Sequence, residues 1–136
     1  MHPEPIEEIE HTADWAILVR GSDLAELFVQ AARGMFGLII GEQEIERTVE
    51  RTIALQAFDV ETLLVDWLGE LLYLNEIHRE AYVDYQIEAI SPNSLKATVR
   101  GGLAKGQGEH IKAATFNELA IRHSDEGFET TIVFDV

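Results

Sequence analysis

The chain has 136 residues, 46% of them hydrophobic and 26% charged, which predicts one globular domain over residues 1–136 and excludes collagen, coiled coil and wholesale disorder. Its 25 Asp and Glu residues outnumber its 10 Lys and Arg residues, and the formal charge of −15 disfavours direct binding of a nucleic-acid backbone, which requires clustered cations. The absence of Cys excludes disulfides, thiolate zinc sites and cysteine nucleophiles, and leaves oxygen and imidazole groups as metal ligands.

The N-terminal segment, MHPEPIEEIEH, has no feature of a targeting signal. It lacks both the basic region and the apolar region of a signal peptide. No apolar stretch elsewhere in the sequence approaches the roughly 18 residues that a membrane span requires. We therefore expect a cytoplasmic protein that does not associate with membranes.

The first predicted elements are a short strand and an amphipathic helix. Residues 15–20 (WAILVR) form an apolar run that ends at Gly21 and is too short for a helix, so we predict a buried strand. A helix is predicted to begin after an N-cap at Ser22 or Asp23 and to end at Gly41. Its apolar residues recur with the spacing of one helix face: Leu24, Leu27, Phe28, Ala31, Met35, Leu38 and Ile39.

A second strand and a second helix follow. Residues 47–58 carry Thr, Val and Ile in rough alternation, which predicts a strand, and Asp59 is a competent N-cap for the helix after it. The apolar residues of this helix share one face: Val60, Leu63, Leu64, Trp67, Leu68, Leu71 and Leu72. Its other side carries four acids that we expect to form a solvated face: Glu61, Asp66, Glu70 and Glu76.

The remaining sequence predicts two hairpins separated by a loop. Residues 82–90 and 95–100 alternate and flank a Ser-Pro-Asn-Ser turn, and residues 111–122 and 128–135 flank a second polar turn. Between the hairpins, residues 101–110 contain four of the ten glycines and predict a mobile loop. Two helices and about six strands predict an α+β domain in which both helices pack on one face of a single, mainly antiparallel sheet.

Signatures of catalysis are absent from the sequence. It contains no G-x-S-x-G elbow, no glycine motif for phosphate before a helix, no H-E-x-x-H and no G-x-G-x-x-G. The five histidines are scattered without metal-ligand spacing: His2, His11, His78, His110 and His123. The sequence therefore indicates no candidate for a catalytic nucleophile.

Two short segments carry residues suited to binding. His11-Thr12-Ala13-Asp14 directly precedes a predicted strand, where its polar side chains either point into a pocket at the end of the sheet or make local turn hydrogen bonds. At the other end, Asp135 and the α-carboxylate of Val136 place two negative charges within a few ångströms. Water or a hard divalent cation would relieve this repulsion.

Four segments, in order, resemble the archease family. EHTADWAILVRGSDLAELFVQAA resembles its opening, ALQAFDVETLLVDWLGELLYL its second helix with the strand before it, IKAATFNELAI its VKA-type strand, and IVFDV its closing residues. The resemblance spans nearly the whole chain. It implies an archease-like fold and a cytoplasmic protein that is not itself an enzyme.

The resemblance also implies a partner and a role. Archeases are protein cofactors of the RNA ligase that joins a 2′,3′-cyclic-phosphate or 3′-phosphate end to a 5′-hydroxyl end, notably in tRNA splicing. They promote guanylylation of the ligase's active-site histidine from GTP with Mn²⁺ and restore its turnover. On this basis the expected partner is that ligase, and strong direct binding of nucleic acid is not expected.

The family's metal site carries over to Asp14, Asp135 and the α-carboxylate of Val136. Such an oxygen-only, anionic set suits Ca²⁺, the ion we expect in a structure, with Mg²⁺ or Mn²⁺ as alternatives. His11 is a further candidate, either as a ligand or as a donor that orients a carboxylate. Lys112, which matches the Lys of the VKA strand, is a counter-charge for the acidic pocket, a contact for the ligase, or an ordinary exposed strand residue.

Two other functions remain open from the sequence. The same carboxylates could activate water on a bound cation, which would make the chain a small metal-dependent hydrolase, although a general base is not evident. A chaperone-like acidic protein would instead require an exposed apolar patch.

Overall fold

Eight strands and two helices make up the described part of the chain, which in this computed structural model comprises residues 5–10, 15–105, 108, 110–116 and 119–136. The helices are α1 (Leu24–Ile40) and α2 (Val60–His78). The strands are β1 (Ile6–Glu10), β2 (Trp15–Gly21), β3 (Val49–Gln56), β4 (Glu80–Ser91), β5 (Ser94–Leu103), β6 (Ala113–Thr115), β7 (Arg122–Ser124) and β8 (Gly127–Asp135).

Helix α1 begins and ends at the residues that the sequence predicts. The Asp23 side chain accepts a hydrogen bond from the backbone N–H of Glu26 at 2.8 Å, and the Glu26 carboxylate accepts in return from the N–H of Ser22 at 3.3 Å. This reciprocal pair satisfies one backbone donor of the first turn and the N–H of the residue before the N-cap. At the other end, the N–H of Gly41 donates to the carbonyl of Gly37 at 2.9 Å.

Helix α2 also has the predicted cap and the predicted buried face. The Asp59 carboxylate accepts a hydrogen bond from the N–H of Thr62 at 2.8 Å, and hydrogen bonds from Thr62 lower the pKa of Asp59. The helix ends where Arg79 adopts a left-handed conformation with φ of 56°. Six apolar side chains of α2 are buried: Leu63, Leu64, Trp67, Leu68, Leu71 and Leu72.

The strands form two antiparallel sheets. The first has the order β1-β2-β8-β6, with β7 also paired to β8, and the second has the order β3-β5-β4. The predicted α+β class, with two helices and antiparallel pairing, is confirmed, but the prediction of one sheet is wrong. Side-chain alternation shows which face of a strand is buried but not which strand lies beside it, and here β2 pairs with the distant β8 whereas β3 pairs with β5.

A common core joins the helices to both sheets. The indole N–H of Trp67 in α2 donates to the carbonyl of Phe28 in α1 at 2.9 Å, which satisfies the one polar group of a fully buried side chain. Phe36 packs edge-to-face on Tyr82 of β4, with ring centroids 5.6 Å apart. On the sheet of β8, Phe134 is likewise fully buried. Neither helix of the described residues is a candidate for crossing a membrane.

A buried carboxylate ties β3, β4 and the end of α2 together. Glu80 is 6% exposed, and both of its carboxylate oxygens accept hydrogen bonds from the Arg51 guanidinium, at 3.0 and 2.9 Å. The Tyr82 hydroxyl also donates to this carboxylate at 2.7 Å, and the Asn75 amide donates to the Glu80 carbonyl at 2.8 Å. Because hydrogen bonds from Arg51 favour the ionised form, they lower the pKa of Glu80.

The hairpin of β4 and β5 is confirmed, but the second predicted hairpin is only partly right. In place of one strand over residues 111–122, the short strands β6 and β7 pair separately with β8. Thr115 pairs with Val133 and Arg122 pairs with Glu129. Six sequence positions separate Thr115 from Arg122 but only three separate Glu129 from Val133, which a continuous ladder cannot accommodate. A composition typical of strands does not reveal such an insertion.

One acid of α2 holds the segment between β6 and β7. The Glu61 carboxylate, predicted to lie on a solvated face, is half-buried and accepts a hydrogen bond from the N–H of Ile121 at 3.2 Å. The Thr130 hydroxyl donates to the Ala120 carbonyl at 2.9 Å. These bonds give partners to the Ile121 N–H and the Ala120 carbonyl, which lie between β6 and β7.

Glu61→Ala is expected to lower the free energy of unfolding by about 1 kcal/mol, because it leaves the Ile121 amide without its carboxylate acceptor. The measurement is urea unfolding together with hydrogen exchange of the Ile121 amide. Glu61→Gln, which keeps an oxygen acceptor, is the control. Its Ile121 amide should exchange more slowly than the same amide in Glu61→Ala. Equal exchange in wild type and Glu61→Ala would show that the hydrogen bond does not hold the segment.

Strand β1, which covers residues Ile6–Glu10, was not predicted from the sequence. The exposed acids Glu7 and Glu8 suit an edge strand, because their charges oppose pairing with other chains. The Arg20 guanidinium of β2 donates to Glu7 of β1 at 3.2 Å and to Glu129 of β8 at 3.0 Å. One arginine therefore links three neighbouring strands.

The prediction of a loop over residues 101–110 is wrong for its first three residues, whereas 104, 105, 108 and 110 lie in no helix or strand. Residues 101–103 belong to β5. The Gln43 side chain both donates to the Lys105 carbonyl at 2.9 Å and accepts from its N–H at 2.6 Å. Gly108 has φ of 91°, and a Cβ there would lie 2.4 Å from the carbonyl oxygen of Leu38 at the end of α1, so only glycine fits.

Candidate functional site

Three strands meet at one edge of the first sheet, where β2 begins, β8 ends and β6 begins. The antiparallel registers place Trp15 beside Phe134 and Ala113 beside Asp135. Residues separated by more than a hundred positions in sequence thus become neighbours at this edge. The edge contains the last residues of the chain and the first residues of β6.

Three of the five predicted site residues lie at this edge. The backbone N–H of Lys112 donates to the carbonyl of Asp135 at 2.8 Å. The Asp135 side chain is exposed, whereas Val136 is half-buried and packs against the core. The terminal residue is therefore anchored by its side chain. The carbonyl of Asp135 bonds to backbone, and its carboxylate remains exposed to solvent.

The other two predicted residues, His11 and Asp14, lie outside the described residues. Asp14 directly precedes Trp15 in the sequence, and Trp15 is the neighbour of Phe134 in the ladder. Within the described ranges, no group of three His, Asp or Glu side chains is placed to hold a metal ion. From those ranges, Asp135 and the chain terminus alone supply the predicted ligand set, and their oxygen donors suit a hard cation such as Ca²⁺.

A groove of about 1070 Å³ lies beside this edge, between α2 and residues 104–114. Its lining includes Lys112, Ala113 and Ala114, so β6 forms part of both the groove and the sheet edge. Apolar residues also line it: Ile39, Leu55, Val65, Leu72 and Ile111. This volume lies at the upper end of the range for small-molecule sites and suits a larger, elongated occupant.

The lining of the groove carries charges of both signs. Helix α2 contributes the acids Asp66, Glu70 and Glu76. The chain after the helix contributes bases: Arg79, directly at the end of α2, and then Lys105, His110 and Lys112. In the part of the chain that the structure describes, no ion pair involves these acids or the Lys and Arg residues among these bases. The sequence predicted the solvated acids but not the bases that share the groove with them.

Gly69 lies in the middle of α2, where it lines the groove, and its position faces open space within the described residues. A Cβ built at this position meets no atom within 4 Å, and the residue is exposed. A glycine inside a helix costs roughly 0.5–1 kcal/mol relative to alanine. The lone glycine among strong helix formers is visible in the sequence. The apolar periodicity that predicts the helix does not explain why a glycine occurs there.

Comparisons with known proteins agree with one another. Residues 6–136 match the model of the Archease protein family (MTH1598/TM1083). Protein archease of Methanosarcina mazei is 34% identical over 139 residues, which cover 96% of this chain and 94% of that protein. Protein archease of Pyrococcus furiosus is 33% identical over 132 residues, which cover 89% and 90%.

Two solved structures share the fold. The solution structure of Methanobacterium thermoautotrophicum protein 1598 matches with a TM-score of 0.80 and 27% identity, over 97% of this chain and 99% of that chain. The crystal structure from Thermotoga maritima, described as "an archease, possible chaperone", matches with a TM-score of 0.70 and 26% identity, over 99% and 100%. The resemblance predicted from the sequence is confirmed, and the chain belongs to the archease family.

Proposed function

We propose that this protein is a metal-binding cofactor of the RNA ligase that joins 3′-phosphate and 5′-hydroxyl ends in tRNA splicing and RNA repair. It promotes guanylylation of the ligase from GTP and allows repeated turnover. Membership of the archease family supports this role, because resemblance to that family implies a protein cofactor of this ligase. In this role the protein is a cytoplasmic activator of the ligase. It catalyses no chemical step of its own.

The observation that carries the proposal is the sheet edge at the end of β8. Asp135 is exposed there, and the α-carboxylate of Val136 follows it on a residue that packs against the core. The first described residue after Asp14 lies in the neighbouring strand at the same edge. This topology supports a site made from Asp14, Asp135 and the terminal carboxylate, with His11 as a further ligand or as a donor that orients a carboxylate.

A divalent cation, Ca²⁺ or alternatively Mg²⁺ or Mn²⁺, would neutralise the repulsion between these carboxylates. The chain's own residues would set the shape of the site. The hydrogen bond from the Lys112 N–H to the Asp135 carbonyl fixes the backbone of the last residues, and the packing of Val136 limits their motion. The charge of −15 matches a partner whose active site must be basic to hold RNA and GTP.

The test is a ligation assay with a small amount of ligase and excess RNA substrate, with and without this protein. We expect more than one round of ligation per ligase only when the protein is present, and faster labelling of the ligase by radioactive GTP. The isolated protein should hydrolyse neither GTP nor cyclic-phosphate RNA above background. Robust hydrolysis by the protein alone would favour a metal-dependent hydrolase, and unchanged ligase turnover would contradict the proposal.

A further inference from the structure

We propose that the groove between α2 and residues 104–114 is the surface on which the ligase docks. Its occupant is an amphipathic peptide segment of the ligase, with basic side chains toward the acids of α2 and acidic side chains toward Lys105, His110 and Lys112. The inference rests on the proposed function, and it assigns to the partner a binding surface distinct from the carboxylates at the end of β8.

Charge complementarity is the first support. The acids of α2 and the Lys and Arg residues of the groove form no ion pairs within the described residues, although both signs line one groove. Elsewhere in the same ranges, four arginines pair with acids that lie in strands: Arg20, Arg47, Arg51 and Arg100. Unpaired charges of both signs in one groove favour a polypeptide that carries both charges, and they favour one orientation of it.

The open space over Gly69 is the second support. Without a side chain at this point, the backbone of a partner segment can approach α2 closely. Next to it on the same face, Tyr73 is 57% exposed and offers an aromatic surface of the kind that dominates binding energy at interfaces. Gly69 is unfavourable for the isolated helix. Close contact with a partner gives a physical reason for a glycine at this position.

The position of the groove is the third support. Ala113 lines the groove and is also the ladder neighbour of Asp135. Lys112, which precedes it, also lines the groove, and its N–H bonds to the Asp135 carbonyl. A segment seated in the groove therefore brings the ligase next to the exposed carboxylates at the end of the chain.

The first experiment compares Gly69→Leu with Gly37→Leu in the full chain. Gly37 is the matched control because it is also an exposed helix glycine where an added Cβ would meet no atom within 4 Å, yet it does not line the groove. Gly69→Leu should weaken binding to the ligase by about tenfold or more, measured by calorimetry, with an unchanged or raised Tm. Gly37→Leu should bind like the wild type.

The second experiment compares the charge reversals Glu70→Lys and Asp125→Lys. Both change the net charge equally, but Asp125 lies in the exposed turn between β7 and β8, away from the groove. We expect Glu70→Lys to weaken ligase binding several-fold more than Asp125→Lys, most clearly at low salt. Equal effects would show that only the overall charge matters and would overturn the docking site.

The outcomes separate this inference from the proposed function. If the wild type stimulates the ligase and Gly69→Leu binds and stimulates equally well, the groove is not the docking surface, although the proposed function stands. If the wild type neither binds nor stimulates the ligase, the proposed function fails and the inference fails with it. If Gly69→Leu instead abolishes self-association seen in sedimentation, the occupant is a second copy of this chain and the proposal is overturned.

Discussion

Extending the chain beyond Val136 is expected to abolish activation of the ligase without unfolding the protein. A C-terminal tag converts the terminal carboxylate into a neutral amide and adds bulk at the edge where β2, β6 and β8 meet. Removing one anion from a set of three carboxylates strongly weakens binding of a hard cation. The fold should survive, because the ladder of β8 with β2 is made by residues before the chain end.

The measurements are calcium titration and ligase turnover for three forms: untagged, tagged after Val136, and tagged before Met1. The tag before Met1 is the control, because it leaves all three predicted ligands unchanged. Asp135→Asn and Asp14→Asn should lose activation in the same way, since each removes one charge with little change in shape. Equal metal affinity and equal activation in all forms would show that these carboxylates have no role.

Replacing Glu80 by glutamine is expected to lower the free energy of unfolding by about 3 kcal/mol at neutral pH. The change removes the charge of a buried carboxylate that accepts two hydrogen bonds from Arg51 and one from Tyr82. Breaking a buried, hydrogen-bonded ion pair from one side costs about 3–5 kcal/mol, and the partial exposure of Arg51 places this pair at the low end.

The pH dependence of this effect has a defined sign. Because the pKa of Glu80 is lower in the folded chain than its ordinary value of 4.5, its contribution is present at pH values above 4.5. It is lost as the pH falls through the lower folded pKa. The stability difference between wild type and Glu80→Gln should therefore shrink below about pH 4.5.

Urea unfolding of both proteins at neutral and acidic pH makes the comparison. Glu50→Gln is the matched control, because Glu50 pairs with Arg100 through side chains that are 56% and 50% exposed. Such an exposed pair contributes only about 0–1 kcal/mol. Similar losses for both variants would contradict the view that burial of Glu80 makes its ion pair important.

The parts of this fold that local interactions control were predicted from sequence. Both helices have their N-cap carboxylates, Asp23 and Asp59, within three residues of the N–H groups that they accept from, and their apolar faces follow the helical period. The turn between β4 and β5 is equally local. The family resemblance rests on four such local segments in a fixed order, which is why it can be recognised from the sequence without the structure.

Both the sequence and the tertiary structure are needed to define the candidate site. The sequence singled out Asp14, Asp135, Val136, Lys112 and His11 by resemblance and by the charges at the chain end. Only the tertiary structure shows that Lys112 bonds to Asp135 and that Val136 packs on the core. The ligand role of the carboxylates remains a proposal that the tagged forms test.

Strand pairing and the groove were decided by tertiary structure alone. Alternation in a strand is compatible with many neighbours, so it could not separate the two sheets or show that β6 and β7 pair separately with β8. The groove brings Arg79, Lys105, His110 and Lys112 together with the acids of α2. Local sequence encodes helix caps and periodic faces because the groups involved are a few residues apart, whereas distant segments meet only after the common core has formed.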